Sequence, residues 1–134
     1  MSLFVDTSVW SLAFRRDGPS REAEVAALRR ALETGDVVVT GLVLQELLQG
    51  FSRPKAHTEI AARFASLPLL IPDREDHVQA ADLRNRCRRR GVQVGTIDAL
   101  LAQLCIRHEL QMLTTDGDFR NIAKIVPLSL WTGI

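Results

Sequence analysis

At 134 residues the chain is long enough to bury one proper core and too short for two ordinary domains, so residues 1–134 are read as a single domain. A hydrophobic share of 46% beside 25% charged residues is what a soluble globular protein shows, and no apolar run approaches membrane-spanning length. The net charge of +1 neither demands nor excludes a nucleic-acid partner.

No basic stretch followed by an apolar one opens the sequence, so a cytoplasmic protein without a membrane partner is expected. The only lysines are Lys55 and Lys124; the arginine bias suits bidentate contacts to phosphate, but a GC-rich genome accounts for it more economically. Cys87 and Cys105 fall on apolar faces of expected helices, which fits buried, reduced thiols better than a disulfide framework.

Leu3-Phe4-Val5 is a short apolar run that stops at Asp6, with Thr7 or Ser8 placed to cap a helix over Val9–Phe14. Arg15 to Pro19 is a turn-rich break. Ser20 is then an N-cap candidate for a helix with Glu22 and Glu24 in its first turn, Val25, Leu28 and Leu32 on its inner stripe, and a stop before Gly35. Val37-Val38-Val39-Thr40 predicts a second buried strand.

A helix over Leu42–Gly50 follows, with Val43, Leu44, Leu47, Leu48 and Phe51 on one arc and Glu46 at its border. Pro54 opens another helix, and Leu69-Leu70-Ile71 between two prolines predicts a third strand. Asp73 to Arg90 predicts a long helix ended by Gly91, and Thr96 is the expected cap of the next, whose buried side is Ile97, Leu100, Leu101, Leu104 and Cys105. Gln111 to Thr115 predicts a fourth strand ending at Asp116. A short helix over Phe119–Ala123 and a last strand over Val126–Leu130 complete the chain.

Strands alternating with helices predict an α/β fold: a three-layer αβα sandwich around a mainly parallel sheet of four or five strands. Such a sheet places the strand ends along one edge, where ligands bind. Asp6 and Asp116 would share that edge, although each is equally well explained as a helix cap. Asp98 sits in the first turn of its helix, where the dipole alone accounts for a carboxylate, yet it stands at the mouth of an apolar segment. Glu46 interrupts an apolar arc, where a partly buried carboxylate costs stability unless it has a partner, although a solvated residue at the rim of the core explains it equally well. Four such acids without an assigned lysine or histidine form a set of hard oxygen donors suited to Mg²⁺ or Mn²⁺.

The sequence resembles PIN-domain proteins, and more narrowly the VapC-type ribonuclease toxins of VapBC toxin–antitoxin pairs. The likeness is carried by Phe4-Val5-Asp6-Thr7-Ser8-Val9-Trp10, Leu44-Gln45-Glu46-Leu47-Leu48-Gln49-Gly50, Thr96-Ile97-Asp98-Ala99-Leu100-Leu101-Ala102 and Leu113-Thr114-Thr115-Asp116-Gly117-Asp118-Phe119. It spans essentially the whole chain and keeps the motif order.

The resemblance implies a Mg²⁺-dependent endoribonuclease with Asp6, Glu46, Asp98 and Asp116 as its catalytic and metal-binding acids. It also implies an RNA substrate, a VapB-like antitoxin whose tail crosses the acidic groove, and a homodimer. Thr7, Ser8 and Thr115 match positions whose hydroxyls orient an acid or a water. Asp118 matches one that sometimes assists at the metal, although a cap beside Phe119 is the favoured reading. The family often has a basic residue within the last motif and another just before Thr96; this chain has Gly117 and Gly95 there.

The arginines from Arg84 to Arg90 are a solvated helix end first and an RNA-backbone contact second. His57, His77 and His108 lack metal-ligand spacing, and Trp10 and Trp131 are assigned to the core or a dimer interface rather than to base stacking. Two competing functions stand beside the toxin: an RNA-processing PIN nuclease without an antitoxin, and a PIN-like module that binds RNA or protein without cutting. Phosphatase and receiver readings each want a second acid beside Asp6, which Thr7 and Ser8 do not supply.

Overall fold

The computed structural model describes residues 1–15 and 22–133. Of the expected Arg15–Pro19 break only Arg15 is among them, and the Ser20 cap lies outside. Five short strands, β1 (Leu3–Val5), β2 (Val37–Thr40), β3 (Leu69–Leu70), β4 (Gln111–Leu113) and β5 (Ser129–Leu130), form one sheet in the order β3-β2-β1-β4-β5. Every pairing is parallel, with Val5 opposite Leu113 and Phe4 opposite both Val38 and Met112. Parallel strands need both faces covered. The covering helices are α1 (Thr7–Phe14), α2 (Glu22–Thr34), α3 (Gly41–Gly50), α4 (Pro54–Phe64), α5 (Arg74–Arg89), α6 (Thr96–Arg107) and α7 (Asp118–Ala123). The expected αβα sandwich is therefore what forms. Among the described residues, no helix is long and apolar enough to cross a membrane.

Phe4, Val5, Val39, Met112 and Leu113 are fully buried, so the apolar strand runs are the middle layer of the core. On one side Trp10 packs against Phe64 with ring centroids 4.6 Å apart, tying α1 to α4; Phe14 continues the contact to Phe51 at the end of α3. Trp10 is thus a core residue. Both cysteines are free and buried, and burial raises both thiol pKa values.

Several boundaries differ from expectation for local reasons. Helix α1 begins at Thr7, so neither Thr7 nor Ser8 is its cap; Asp6 holds that backbone position. Gly95, not Thr96, is the N-cap position of α6, and no side chain caps that helix. Strand β4 stops at Leu113, and β5 contains only Ser129 and Leu130, the N–H groups of Ile125 and Val126 closing instead onto the Ile122 carbonyl of α7 at 3.0 Å. Gly91 adopts φ +80 just past α5, as a chain reversal there requires, and Val92 N–H closes onto the Cys87 carbonyl at 2.9 Å.

Helices α5 and α6 form a hairpin whose far end is electrostatically stitched. Asp73 and Asp76 make a reciprocal capping box at the start of α5, with bonds of 3.0 and 2.9 Å. Arg107, in the last turn of α6, meets Asp73 at 3.1 Å and the buried Asp76 at 2.8 Å. The capping bond holds the Asp73 carboxyl below its ordinary range, with Arg107 helping, while both acids raise the Arg107 pKa. Because Asp76 is only 1% exposed, removing its cation strands a buried charge. Arg107→Ala should therefore destabilise the protein more at neutral pH than loss of the cap in Asp73→Ala. Urea unfolding of the two variants checks the order; equal losses would mean that Asp76 is compensated elsewhere.

Candidate active site

The site is built where β1 and β4 end side by side. Asp6 follows Val5, and its backbone N–H donates to the Leu113 carbonyl at 2.9 Å, extending the ladder one step past the strands. Its backbone is extended, and its side chain makes no capping bond to α1. Instead, Asp6 Oδ2 accepts from Ser8 Oγ at 2.9 Å and from Thr114 Oγ1 at 2.8 Å. Both hydroxyls in turn accept backbone N–H groups, Ser8 from Thr115 at 3.1 Å and Thr114 from Asp116 at 3.0 Å. A hydroxyl that has accepted an N–H is free to aim its own hydrogen elsewhere, here at the carboxylate. Asp6, only 7% exposed, thus holds the cap position through its backbone alone, while its side chain is a buried acid held by two O–H donors.

Three further acids meet beside it. Asp98, Asp116 and Asp118 each offer a carboxylate oxygen, and those oxygens lie within 4.8 Å of one another. Asp116 lies three residues beyond the end of β4, in the turn before α7. Its Oδ1 accepts the Asp118 N–H at 2.9 Å, so this acid does organise the helix start, as its capping alternative requires. Asp118 does not: it is the first helical residue, exposed, with Gly117 in the cap position. Asp98 is half-buried in the first turn of α6.

Electrostatics tie the acids together. The Asp98 pKa is pushed up to about 6, first by burial and then by the charges of Asp6, Asp116, Glu46 and Asp118 in turn. No cation among the described residues opposes that rise. Glu46 projects from α3 as an exposed side chain, not the half-buried one its place in the apolar arc suggests. Even so, its carboxyl is crowded enough for desolvation to raise its pKa; a hydrogen bond from Thr7 Oγ1 at 3.3 Å opposes that rise, and the charge of Asp6 adds to it. Asp6 and Glu46 lie outside the tight group of three, yet both act on Asp98.

Thr114 is the site residue that reading the sequence alone misses. The hydroxyl expected from Thr115 comes from its neighbour, while Thr115 contributes its backbone N–H to Ser8. The strand register carries the signal: with Val5 opposite Leu113, the next pair is Asp6 and Thr114. Gly95 and Gly117 leave the site without the basic side chains that the resemblance leads one to seek. A Cβ at either place meets nothing within 4 Å, so their absence is not imposed by crowding.

The family model of the PIN domain matches residues 3–125. A curated relative, ribonuclease VapC11 of Mycobacterium tuberculosis, is 33% identical over 128 residues, covering 94% of this chain and 95% of its own. Among solved structures, VapBC2 of Rickettsia felis, bound to a DNA fragment from its promoter, superposes with a TM-score of 0.72 at 17% identity, covering 98% of this chain and 100% of that one. VapC20 of M. tuberculosis, described as a sarcin-ricin loop cleaving toxin, gives 0.66 at 22% identity over 95% and 98%.

Two outcomes follow from the geometry. The folded-state pKa of Asp98, about 6, stands above its ordinary value of 3.8, so the ionised group opposes folding at neutral pH. That penalty fades as pH falls through about 6 and vanishes below the ordinary value. In chelator, Asp98→Asn should be more stable than the unsubstituted protein near neutral pH, the gap closing towards pH about 4. A gap that does not change with pH would show that Asp98 is not strained by its neighbours. Thr114→Val, nearly the same shape, should destabilise by about 1–3 kcal/mol because Asp6 loses a buried donor. Thermal melting beside Thr115→Val, expected to be near neutral, separates the two hydroxyls.

Proposed function

The chain belongs to the PIN-domain family, among the VapC ribonucleases, and on that premise we propose that it is a divalent-cation-dependent endoribonuclease acting as the toxin of a toxin–antitoxin pair. One observation carries the reading: acids from four separate chain segments act on one another at one edge of a parallel sheet, and among the described residues no cation acts on Asp98. Such a site is costly as pure structure and suited to a hard, oxygen-loving ion. The donor set fits Mg²⁺, with Mn²⁺ the alternative, since every donor is a carboxylate oxygen and none is sulfur or imidazole. Asp98, Asp116 and Asp118 would hold the ion, with Asp6 and Glu46 completing the acidic rim. When bound, the ion would polarise a phosphodiester oxygen and lower the proton affinity of water.

The residues of the chain then divide the remaining work. Asp6, fixed by Ser8 and Thr114, cannot swing away and keeps its carboxylate in place beside the group of three. The Asp118 N–H fixes the orientation of Asp116. Glu46 is exposed to water, has a raised proton affinity and is steadied by Thr7, which makes it the proton acceptor for the attacking water in this reading. An antitoxin of the VapB kind as inhibitor, a homodimer as the working form and a cytoplasmic location complete the proposal. The likeness to VapBC2 supports the first, and the two buried free thiols suit the last.

Asp116→Asn and Asp98→Asn should each lower RNA cleavage in Mg²⁺ by about 100-fold or more while the far-ultraviolet spectrum stays unchanged. Excess chelator should do the same to the unsubstituted protein. Expression of the unsubstituted chain alone should arrest growth, Asp116→Asn should not, and co-expression of a cognate VapB-type antitoxin should restore growth. Cleavage that survives both chelator and substitution would sink the nuclease; cleavage without growth arrest would leave a processing enzyme.

A further inference from the structure

The arginines at the end of α5 remain without a role in the site as described. Arg84, Arg86, Arg88, Arg89 and Arg90 fall within seven residues, and among the described residues the only ion pairs are those of Arg107. A helix C-terminus favours cations, which accounts for one or two of them. It does not account for five, since like charges so close repel and no acid among the described residues pairs with them.

Their position relative to the acids is fixed. Arg84 donates through Nε to the Val94 carbonyl at 2.7 Å, which fastens this end of α5 to the loop that leads into α6. Arg84 also lines a cavity of about 400 Å³ together with Leu42, Thr96 and Ile97. Ile97 is next to Asp98, and Leu42 stands one helical turn before Glu46 on α3. Arg88, one turn after Arg84, continues the same face, while Arg89 and Arg90 are exposed beside it. The acid cluster, with glycine at residues 95 and 117, has no basic side chain of its own acting on Asp98 among the described residues. The end of α5, tied through Val94 to the loop that leads to Asp98, concentrates positive charge beside it.

We propose that Arg88, Arg89 and Arg90 bind backbone phosphates of the RNA strand flanking the scissile bond, forming a substrate-positioning surface anchored to the site by the Arg84–Val94 bond. The role is electrostatic and blind to sequence, so it sets affinity and register, not the chemical step. It rests on the reading of the protein as a ribonuclease, but binding can be measured without cleavage.

The test uses a fluorescein-labelled single-stranded RNA of about 12 nucleotides, bound in chelator by full-length Asp98→Asn protein across a salt series. Replacing Arg88, Arg89 and Arg90 by Ala in that background should weaken binding about tenfold or more at low salt. It should also flatten the slope of log affinity against log salt by about 2, since each single-strand phosphate contact contributes about 0.7. Replacing the same three by Lys should restore most of the slope. Replacing the exposed Arg29 and Arg30 of α2 by Ala should leave it nearly unchanged.

In the otherwise unsubstituted enzyme, the three alanines should raise KM for long RNA and leave kcat in place. An unchanged slope, or equal flattening by the Arg29 and Arg30 substitutions, would overturn the proposal. The first outcome would leave the arginines to a protein partner, and the second would reduce them to bulk charge. Absence of cleavage by the unsubstituted protein would instead strike the ribonuclease reading and leave the binding slope as a separate result.

Discussion

The carboxylate of Asp6 is the constraint from which the rest of the site is built. A charge this deeply buried requires donors, and it finds them in two hydroxyls from different parts of the chain, Ser8 on α1 and Thr114 just past β4. Each hydroxyl is locked by a backbone N–H from residues 115 and 116, so the turn after β4 cannot shift without releasing Asp6. That turn carries Asp116, and Asp116 holds the first amide of α7 through Asp118. The placement of two acids thus follows from how a third is satisfied. The parallel pairing of β1 with β4 supplies the register that makes it possible.

Helix α6 shows how the fold accommodates the cost of the site. Its N-terminal turn brings Asp98 into a group of like charges, which raises its pKa and works against folding. Its C-terminal turn brings Arg107 to Asp73 and the buried Asp76 of α5, which works in favour. Between the two ends, Leu101, Ala102, Leu104 and Cys105 are almost fully buried, so the helix is anchored by burial and cannot slide to relieve the repulsion. The unfavourable end is the one that sets Asp98 beside the other acids. The strain is local, and the stabilising contacts lie elsewhere on the same rigid element.

What the sequence made legible was whatever rests on burial. The runs Leu3-Phe4-Val5 and Val37-Val38-Val39 announce central parallel strands because nothing but a covered sheet accommodates them. The acids were visible because each breaks such a pattern: Asp6 after a strand, Glu46 within an arc. Features set by hydrogen bonding across chain segments were not. Thr114 and Thr115 are indistinguishable in a string of letters, and only the opposition of Val5 and Leu113 assigns one of them to Asp6. The identity of the α6 cap escaped for a related reason: Thr96 is the better capping residue, yet Gly95 holds the extended backbone that the position needs. Glu46 was expected at the rim of the core and is exposed, because α3 packs through Val43 and Leu47 and only half-buries Leu44 and Leu48.

An acidic cleft is a poor receptor for a polyanion, and the magnitudes make the point. A single carboxylate about 6 Å from a phosphate repels it by about 3 kcal/mol at an effective dielectric of about 20. Several acids facing the same phosphate would exclude it. The charge of the acid cluster must therefore be reversed before a phosphate settles among the acids themselves, and neither Gly95 nor Gly117 offers a side chain to do so. Reversal by a bound ion would make that seating conditional on the ion, whereas a fixed arginine among the acids would make it permanent and would compete with the ion for the same carboxylates. Positive charge kept at the end of α5, tied to the site through Val94 but outside the group of acids, avoids that competition. On the proposed reading, keeping acids that hold an ion apart from arginines that face phosphate is thus what the electrostatics would require of a site that handles both.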